Sequence, residues 1–318
     1  MDALSAIPYE VGRMGTLDGD RYEVPYHILG YSWSGEHPVW TMLPMKRKDD
    51  ELFPSGGPFD IDPVKMKRVE FRSSNDHHCV GRFSDGVHIP CPYSAEVEQF
   101  SQCPSCMKYD IPDPVCVFEP HCNKGTCGAP FCQIEHVVYL TSFRGRHKVG
   151  MTQLRRYEKR GREQGADLIF PLLVLADRYS ARAVEGGISR YLKLPQAVRS
   201  PVKLKGWGAP LRKGIQTDAL LRVKRSLVEN WDDVLSGLPD DVRIERGPEE
   251  TDLAPAALTY PLKEPLDSSP RAYKGSIVRG DVVGYKGNYL VFRSSGLYAY
   301  RIGETPGKIL YFRDELHH

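Results

Sequence analysis

The chain has no long apolar run, so no transmembrane helix is expected. Its first residues, MDALSAIPYEVGRMG, lack a basic stretch followed by an apolar one, and no secretory signal is expected. No internal repeat is visible, so a repeat architecture is not expected. A large excess of either charge is missing too. Lys and Arg number 43 against 41 Asp and Glu, a net charge of +2, so overall charge names no partner. What remains is an ordinary globular composition, 41% hydrophobic and 26% charged. At about 100–200 residues per domain, 318 residues suit two or three domains. A cytoplasmic protein without a membrane partner is the expectation.

Cysteine is present in a way that carries chemistry. All eight lie between Cys79 and Cys132, in a stretch rich in Pro and Gly and poor in apolar runs. Such a stretch buries too little surface to order itself without staples. In a cytosolic chain clustered cysteines point to metal rather than disulfides. Cys103-Pro104-Ser105-Cys106 is a knuckle whose two thiolates can reach one tetrahedral Zn²⁺. The economical reading is two sites, Cys79/Cys91/Cys103/Cys106 and Cys116/Cys122/Cys127/Cys132. Interleaved pairing would give the same sequence, and His78, His121 or His136 can substitute for a thiolate. One or two structural Zn²⁺ are expected, because a full set of four thiolates leaves no open position. Their role would be to replace a hydrophobic core.

The stretch after the cysteines reads as a hairpin feeding a basic helix. His136 to Phe143 is apolar, β-branched and aromatic, as in a buried strand. Arg144-Gly145-Arg146 is a turn, and His147 to Gly150 is a short second strand. Leu154 to Gln164 reads as a helix that Gly165 can cap. Asp167 to Leu175 is a third strand, with Pro171 marking a bulge or an edge. Ser180 to Leu192 is a second helix, in which Glu185 can pair with Arg182 or Arg190 across a turn.

This order resembles the GIY-YIG nuclease superfamily, in which a hairpin carries two short motifs and later helices supply an Arg and a Glu. Val137-Val138-Tyr139 stands at the first motif, Lys148-Val149-Gly150 at the second, Arg160 at the helix Arg and Glu185 at the Glu. More narrowly, Lys148 to Thr152, Arg160 and Glu163-Gln164-Gly165-Ala166 resemble the domain-of-unknown-function 2797 family, which joins a Cys-rich region to such a core. The resemblance implies divalent-metal-dependent hydrolysis of a phosphodiester. In it Tyr139 positions or activates water, Arg160 clamps the scissile phosphate, and Glu185 holds Mg²⁺ or Mn²⁺. The second-motif Tyr is replaced by Lys148, which can hold a phosphate as a point charge. Gln164 stands one turn after Arg160, where a basic or aromatic group is usual. His147, Thr152, Arg155 and Arg156 flank the site as candidate phosphate-binding residues.

Cations crowd this segment: Arg144, Arg146, His147, Lys148, Arg155, Arg156, Lys159, Arg160 and Arg162, with Glu158 and Glu163 the only acids. Residues 190–217 add more with no acid at all, and Trp207 and Tyr191 can stack on bases. The pattern fits a phosphate backbone, DNA or RNA, tRNA included. Alternatives are a binding protein that does not cut, and a repurposed enzyme of small-molecule or tRNA-modification metabolism using the Tyr/Lys/Arg cleft.

The expected fold is α+β in four parts. Residues 1–75 form a β-rich module and 76–135 the Cys-rich region. Residues 136–215 hold the GIY-YIG-like core with its basic linker. Residues 216–318 hold an amphipathic helix, Thr217 to Leu235, and a small antiparallel β module resembling a partial barrel.

Overall fold

The computed structural model describes residues 9–10, 24–49, 51–109, 116, 129–208, 212–251, 255–266 and 268–316. The fold mixes antiparallel sheets with a few helices, and it divides into two compact units. No helix among the described residues is long and apolar enough to cross a membrane.

The first unit comprises residues 1–109, 261–263 and 272–318. Its antiparallel strands run side by side in the order Glu51–Pro54, His37–Lys48, Val24–Ser34, Lys308–Phe312, Arg68–His77, Ile277–Lys286, Tyr289–Arg293, Leu297–Tyr300. The C-terminal strands are therefore not a separate module. Lys308–Phe312 pairs with Val24–Ser34 on one side and Arg68–His77 on the other. A short apolar strand carries no record of which distant strand completes its hydrogen bonds. Apolar side chains fill this unit, with Trp33, Trp40, Phe71, Tyr285 and Phe292 all buried.

The second unit comprises residues 110–260 and 264–271. Its elements are β1 (His136–Phe143), β2 (Arg146–Gln153), α1 (Tyr157–Gln164), β3 (Leu168–Leu175), α2 (Arg178–Tyr191), α3 (Ser200–Gly206), α4 (Lys213–Glu229), α5 (Trp231–Ser236), β4 (Ile244–Arg246) and β5 (Ala256–Ala257). The sheet order is β2-β1-β3-β4, with β5 also on β3. Arg144 and Gly145 both have positive φ, 50° and 83°, the signature of a two-residue turn matched to the twist of a hairpin. Pro171 falls at a bulge in the β1–β3 pairing. Gly165 ends α1 in the left-handed conformation, its N–H reaching the carbonyls of Gly161 and Arg162. Asp177 caps α2 by accepting from the Ser180 N–H.

The sheet has two apolar faces. Val138, Leu140, Val149 and Leu173 pack with Ala181, Val184 and Ile188 of α2 and Leu220, Leu227 and Val234 of α4 and α5. Val137, Tyr139 and Phe143 face the other way and pack with Tyr157, Ala166 and Leu258. The amphipathic helix expected from Thr217 to Leu235 is broken in two. Asn230 stands between α4 and α5 at φ −125° and ψ 30°, outside helical geometry. The stripe Leu220, Leu227 and Val234 still reaches one core, because the second helix re-aims the last turn.

Candidate functional site

Two clusters stand out, one in each unit. In the first, Cys79, Cys91, Cys103 and Cys106 bring their four Sγ atoms within 4.8 Å of one another, all buried. Cys103 opens a single helical turn, Pro104–Met107, which folds Cys106 back toward it. The Cys103 N–H donates to Cys79 Sγ at 3.2 Å, and Cys91 Sγ lies 3.8 Å from Cys103 Sγ. Burial pushes the Cys79 thiol up to about 12 and raises Cys106 as well, whereas Cys103 is lowered by hydrogen bonds from the Cys106 N–H and neighbouring thiols despite its own burial. Four buried sulfurs converging on one centre suit a soft cation. The donor set fits Zn²⁺, which four thiolates close completely.

Of the second expected set, Cys122 and Cys127 lie outside the described residues, as does His121. Cys116 and Cys132 are buried, and Cys132 Sγ is 4.0 Å from Arg178 Nη1. His136 is also buried and hydrogen-bonds through Nδ1 to the Ile134 carbonyl at 2.7 Å.

The second cluster forms along β2. In a strand, alternate residues share a face, so Lys148, Gly150 and Thr152 look the same way, opposite Thr141, Tyr139 and Val137 of β1. Tyr139 is wholly buried, and its hydroxyl accepts from Gln164 Nε2 at 3.2 Å. Arg160 also hydrogen-bonds to that hydroxyl. Burial raises the Tyr139 pKa; Arg160 pulls it back, and Glu185 pushes it up further. Lys148 is 7% exposed and donates to the Gln196 carbonyl at 3.2 Å. Burial, with Arg160 adding to it and Glu185 opposing, brings its pKa down to about 8. Tyr139 of β1 and Lys148 of β2 thus each lie within electrostatic reach of Arg160 on α1 and Glu185 on α2.

Neighbouring residues tie the cluster down. Arg160 Nη1 is 3.3 Å from Glu163, whose other oxygen takes Arg156 Nη2 at 2.8 Å. Arg182 Nη1 is 2.7 Å from Glu185 Oε2 and 3.2 Å from Gln196 Oε1. Pro195 accepts from the Val149 N–H at 3.2 Å, so the segment after α2 runs along β2. Thr141 Oγ1 and Gln164 Oε1 are buried with no hydrogen-bond partner among the described residues.

The sequence marked Gln164 only as a departure, yet it holds the Tyr139 hydroxyl. Arg182 was legible as an i, i+3 partner of Glu185. Gln196 gave no signal, since it reaches the cluster from a loop. Thr152 is buried on the Lys148 face, but His147 falls on the other face of β2, opposite Ser142, because odd and even positions of a strand diverge. Arg155 is exposed and donates to Gln153 at 3.2 Å. Trp207 is 3% exposed, which removes it as a stacking platform for bases; Tyr191 is 38% exposed.

The cluster does not suit a resident Mg²⁺ or Mn²⁺ at Glu185. Such a cation wants several hard oxygens, and here the carboxylate is already engaged by Arg182 and faces the charge of Lys148. Among the described residues, the cysteines form the one group of three or more His, Cys, Asp or Glu side chains placed to share a metal.

A family model described as a protein of unknown function, DUF2797, matches residues 66–301, about three quarters of the chain. No curated protein and no solved structure matches.

Proposed function

The chain belongs to the DUF2797 family, and from that premise we propose that its second unit acts on nucleic acid, hydrolysing a phosphodiester as the GIY-YIG nucleases it resembles do. The observation that supports this reading is that Tyr139 and Lys148, on the two strands of one hairpin, are each coupled to both Arg160 and Glu185. Phosphodiester hydrolysis gathers negative charge in its transition state, and fixed cations stabilise it there. Arg160, half-exposed, grips a phosphate oxygen from solvent. Tyr139 keeps its proton at neutral pH because burial raises its pKa, so its hydroxyl orients an oxygen rather than accepting a proton. Lys148, with a pKa of about 8, is uncharged in roughly a tenth of molecules at pH 7 and takes the proton of the attacking water. Exposed Arg155 and Arg156 extend the phosphate-binding surface.

The test is cleavage of labelled single-stranded DNA, duplex DNA and structured RNA, tRNA included, with and without Mg²⁺ or Mn²⁺. Wild type cuts one of them, and Arg160→Ala and Glu185→Ala each slow it about 100-fold. Equal inactivity of all three proteins removes the reading. One departure favours a second reading, a protein that grips without cutting: Lys148 stands where the second motif has a phenol. Binding by wild type with no product under any condition selects it.

A further inference from the structure

Glu185 is the residue that the resemblance assigns to a divalent cation, yet its surroundings are those of an occupied counter-ion. Its carboxylate is nearly buried, and Oε2 lies 2.7 Å from Arg182 Nη1, one helical turn back on α2. That same nitrogen reaches Gln196 Oε1 at 3.2 Å. Gln196 also accepts Lys148 Nζ on its backbone carbonyl, and the adjoining Pro195 carbonyl holds the Val149 N–H of β2. A single segment therefore fixes the guanidinium and the ammonium side by side, with Glu185 between them in charge. A dication arriving at Glu185 would have to displace Arg182 and then stand against the charge of Lys148.

We propose that Arg182 is the resident cation of this cluster, standing where a divalent metal would otherwise sit, so that the cluster takes a phosphate group directly. This rests on the reading of the cluster as a phosphate site. A guanidinium suits this role because it is permanently charged and its planar fork matches phosphate oxygens. Arg182 is 28% exposed on its side chain, so a ligand can reach it, whereas Glu185 at 6% is screened behind it. Glu185 then serves as a positioning residue, holding Arg182 in place rather than touching the ligand.

The test uses the full, zinc-loaded chain in buffer without chelator, since a chelator would strip the thiolate site. Mn²⁺ binding is read by electron paramagnetic resonance, and inorganic phosphate and a short oligonucleotide are titrated with and without Mg²⁺. Wild type leaves Mn²⁺ free and binds phosphate equally with and without Mg²⁺. Arg182→Gln binds one Mn²⁺ about tenfold more tightly than wild type and phosphate about tenfold more weakly. Adding Glu185→Gln to that variant abolishes the Mn²⁺ site. Arg182→Lys keeps a cation in place and still excludes Mn²⁺, which separates the charge from any loss of folding. Phosphate favoured over the oligonucleotide marks a terminal phosphate as the ligand; the reverse marks an internal diester. Wild type binding one Mn²⁺ that Glu185→Gln removes, with phosphate bound only in the presence of metal, overturns the proposal and leaves the phosphate site standing. Exclusion of Mn²⁺ together with no phosphate binding sinks both.

Discussion

Gly150 faces Tyr139 across the hairpin, and a Cβ on Gly150 would sit 2.8 Å from both Cζ and Oη of that ring. The missing side chain is what lets the phenol lie over β2 and bring its hydroxyl to Gln164 and Arg160. Gly150→Ala therefore forces the ring off its place. The expected cost is about 1–3 kcal/mol, the usual range for overpacking a filled core, read as a fall in urea midpoint. Gly214→Ala is the control: that glycine lies in α4 with nothing near its Cβ position, and the change should leave stability equal or raised by about 0.5–1 kcal/mol. Equal effects of the two substitutions would mean Tyr139 is free to move.

The thiolate cluster makes a prediction about metal count. Cys79→Ser should lower the zinc content of the purified protein by one ion per chain, measured by plasma mass spectrometry, and lower its thermal midpoint. The four sulfurs share one centre, so Cys106→Ser should remove that same ion and no other. The double variant should then lose one ion, not two. Loss of two would mean the cysteines divide differently. Ions that remain belong elsewhere in the chain.

How far these residues were legible depends on the range of the interaction that places them. Strand β1, the turn at Gly145 and the cap at Gly165 follow from local chemistry, and they were readable. Tyr139 and Lys148 were readable as neighbours because a two-residue turn fixes their register. The alternation that puts Lys148 on the Tyr139 face puts its predecessor, His147, on the opposite one. The break at Asn230 has no Gly or Pro to announce it. The seat of Lys308–Phe312 between two distant strands and the reach of Gln196 to Lys148 depend on chain folding over long separations. Trp207 lies in a basic stretch that composition alone paints as exposed; α3 turns it inward.

Lys148 gives a pH prediction whose sign is fixed. Its pKa falls from 10.5 in the unfolded chain to about 8 in the fold, with Arg160 and Glu185 the charged groups that face it. Between those values the unfolded chain holds one more proton than the folded one, so this group makes stability rise with pH across that window. Below about pH 8 it is a buried cation that costs stability, on the order of 3 kcal/mol. Lys148→Met removes the charge while keeping most of the volume. The variant should be more stable than wild type at pH 7, and the gap should close as pH rises toward 10.5. Paired denaturant titrations at pH 7 and pH 10 read it. A gap independent of pH would show that the ammonium is not the source.

Glu163 offers the sharpest view of how the basic surface meets a polyanion. Its carboxylate takes Arg156 at 2.8 Å and Arg160 at 3.3 Å, while both guanidiniums stay about half-exposed. An arginine already neutralised by an acid condenses fewer phosphate contacts, because binding must first break the internal pair. Glu163 is buried while both guanidiniums reach solvent, so a phosphate meets them from outside in competition with the acid, and removing the acid tips that competition. Glu163→Gln should tighten nucleic-acid binding several-fold at low salt and steepen the plot of log affinity against log salt by about one contact per arginine released. Arg160→Ala should do the reverse, flattening the slope by about one. Replacing the buried Lys148 should change affinity without moving the slope, since its charge meets little of the counter-ion atmosphere. Fluorescence anisotropy with one labelled oligonucleotide across a salt series measures all three. A Glu163→Gln protein with unchanged affinity and slope would mean that the nucleic acid, if it binds, does so on another face.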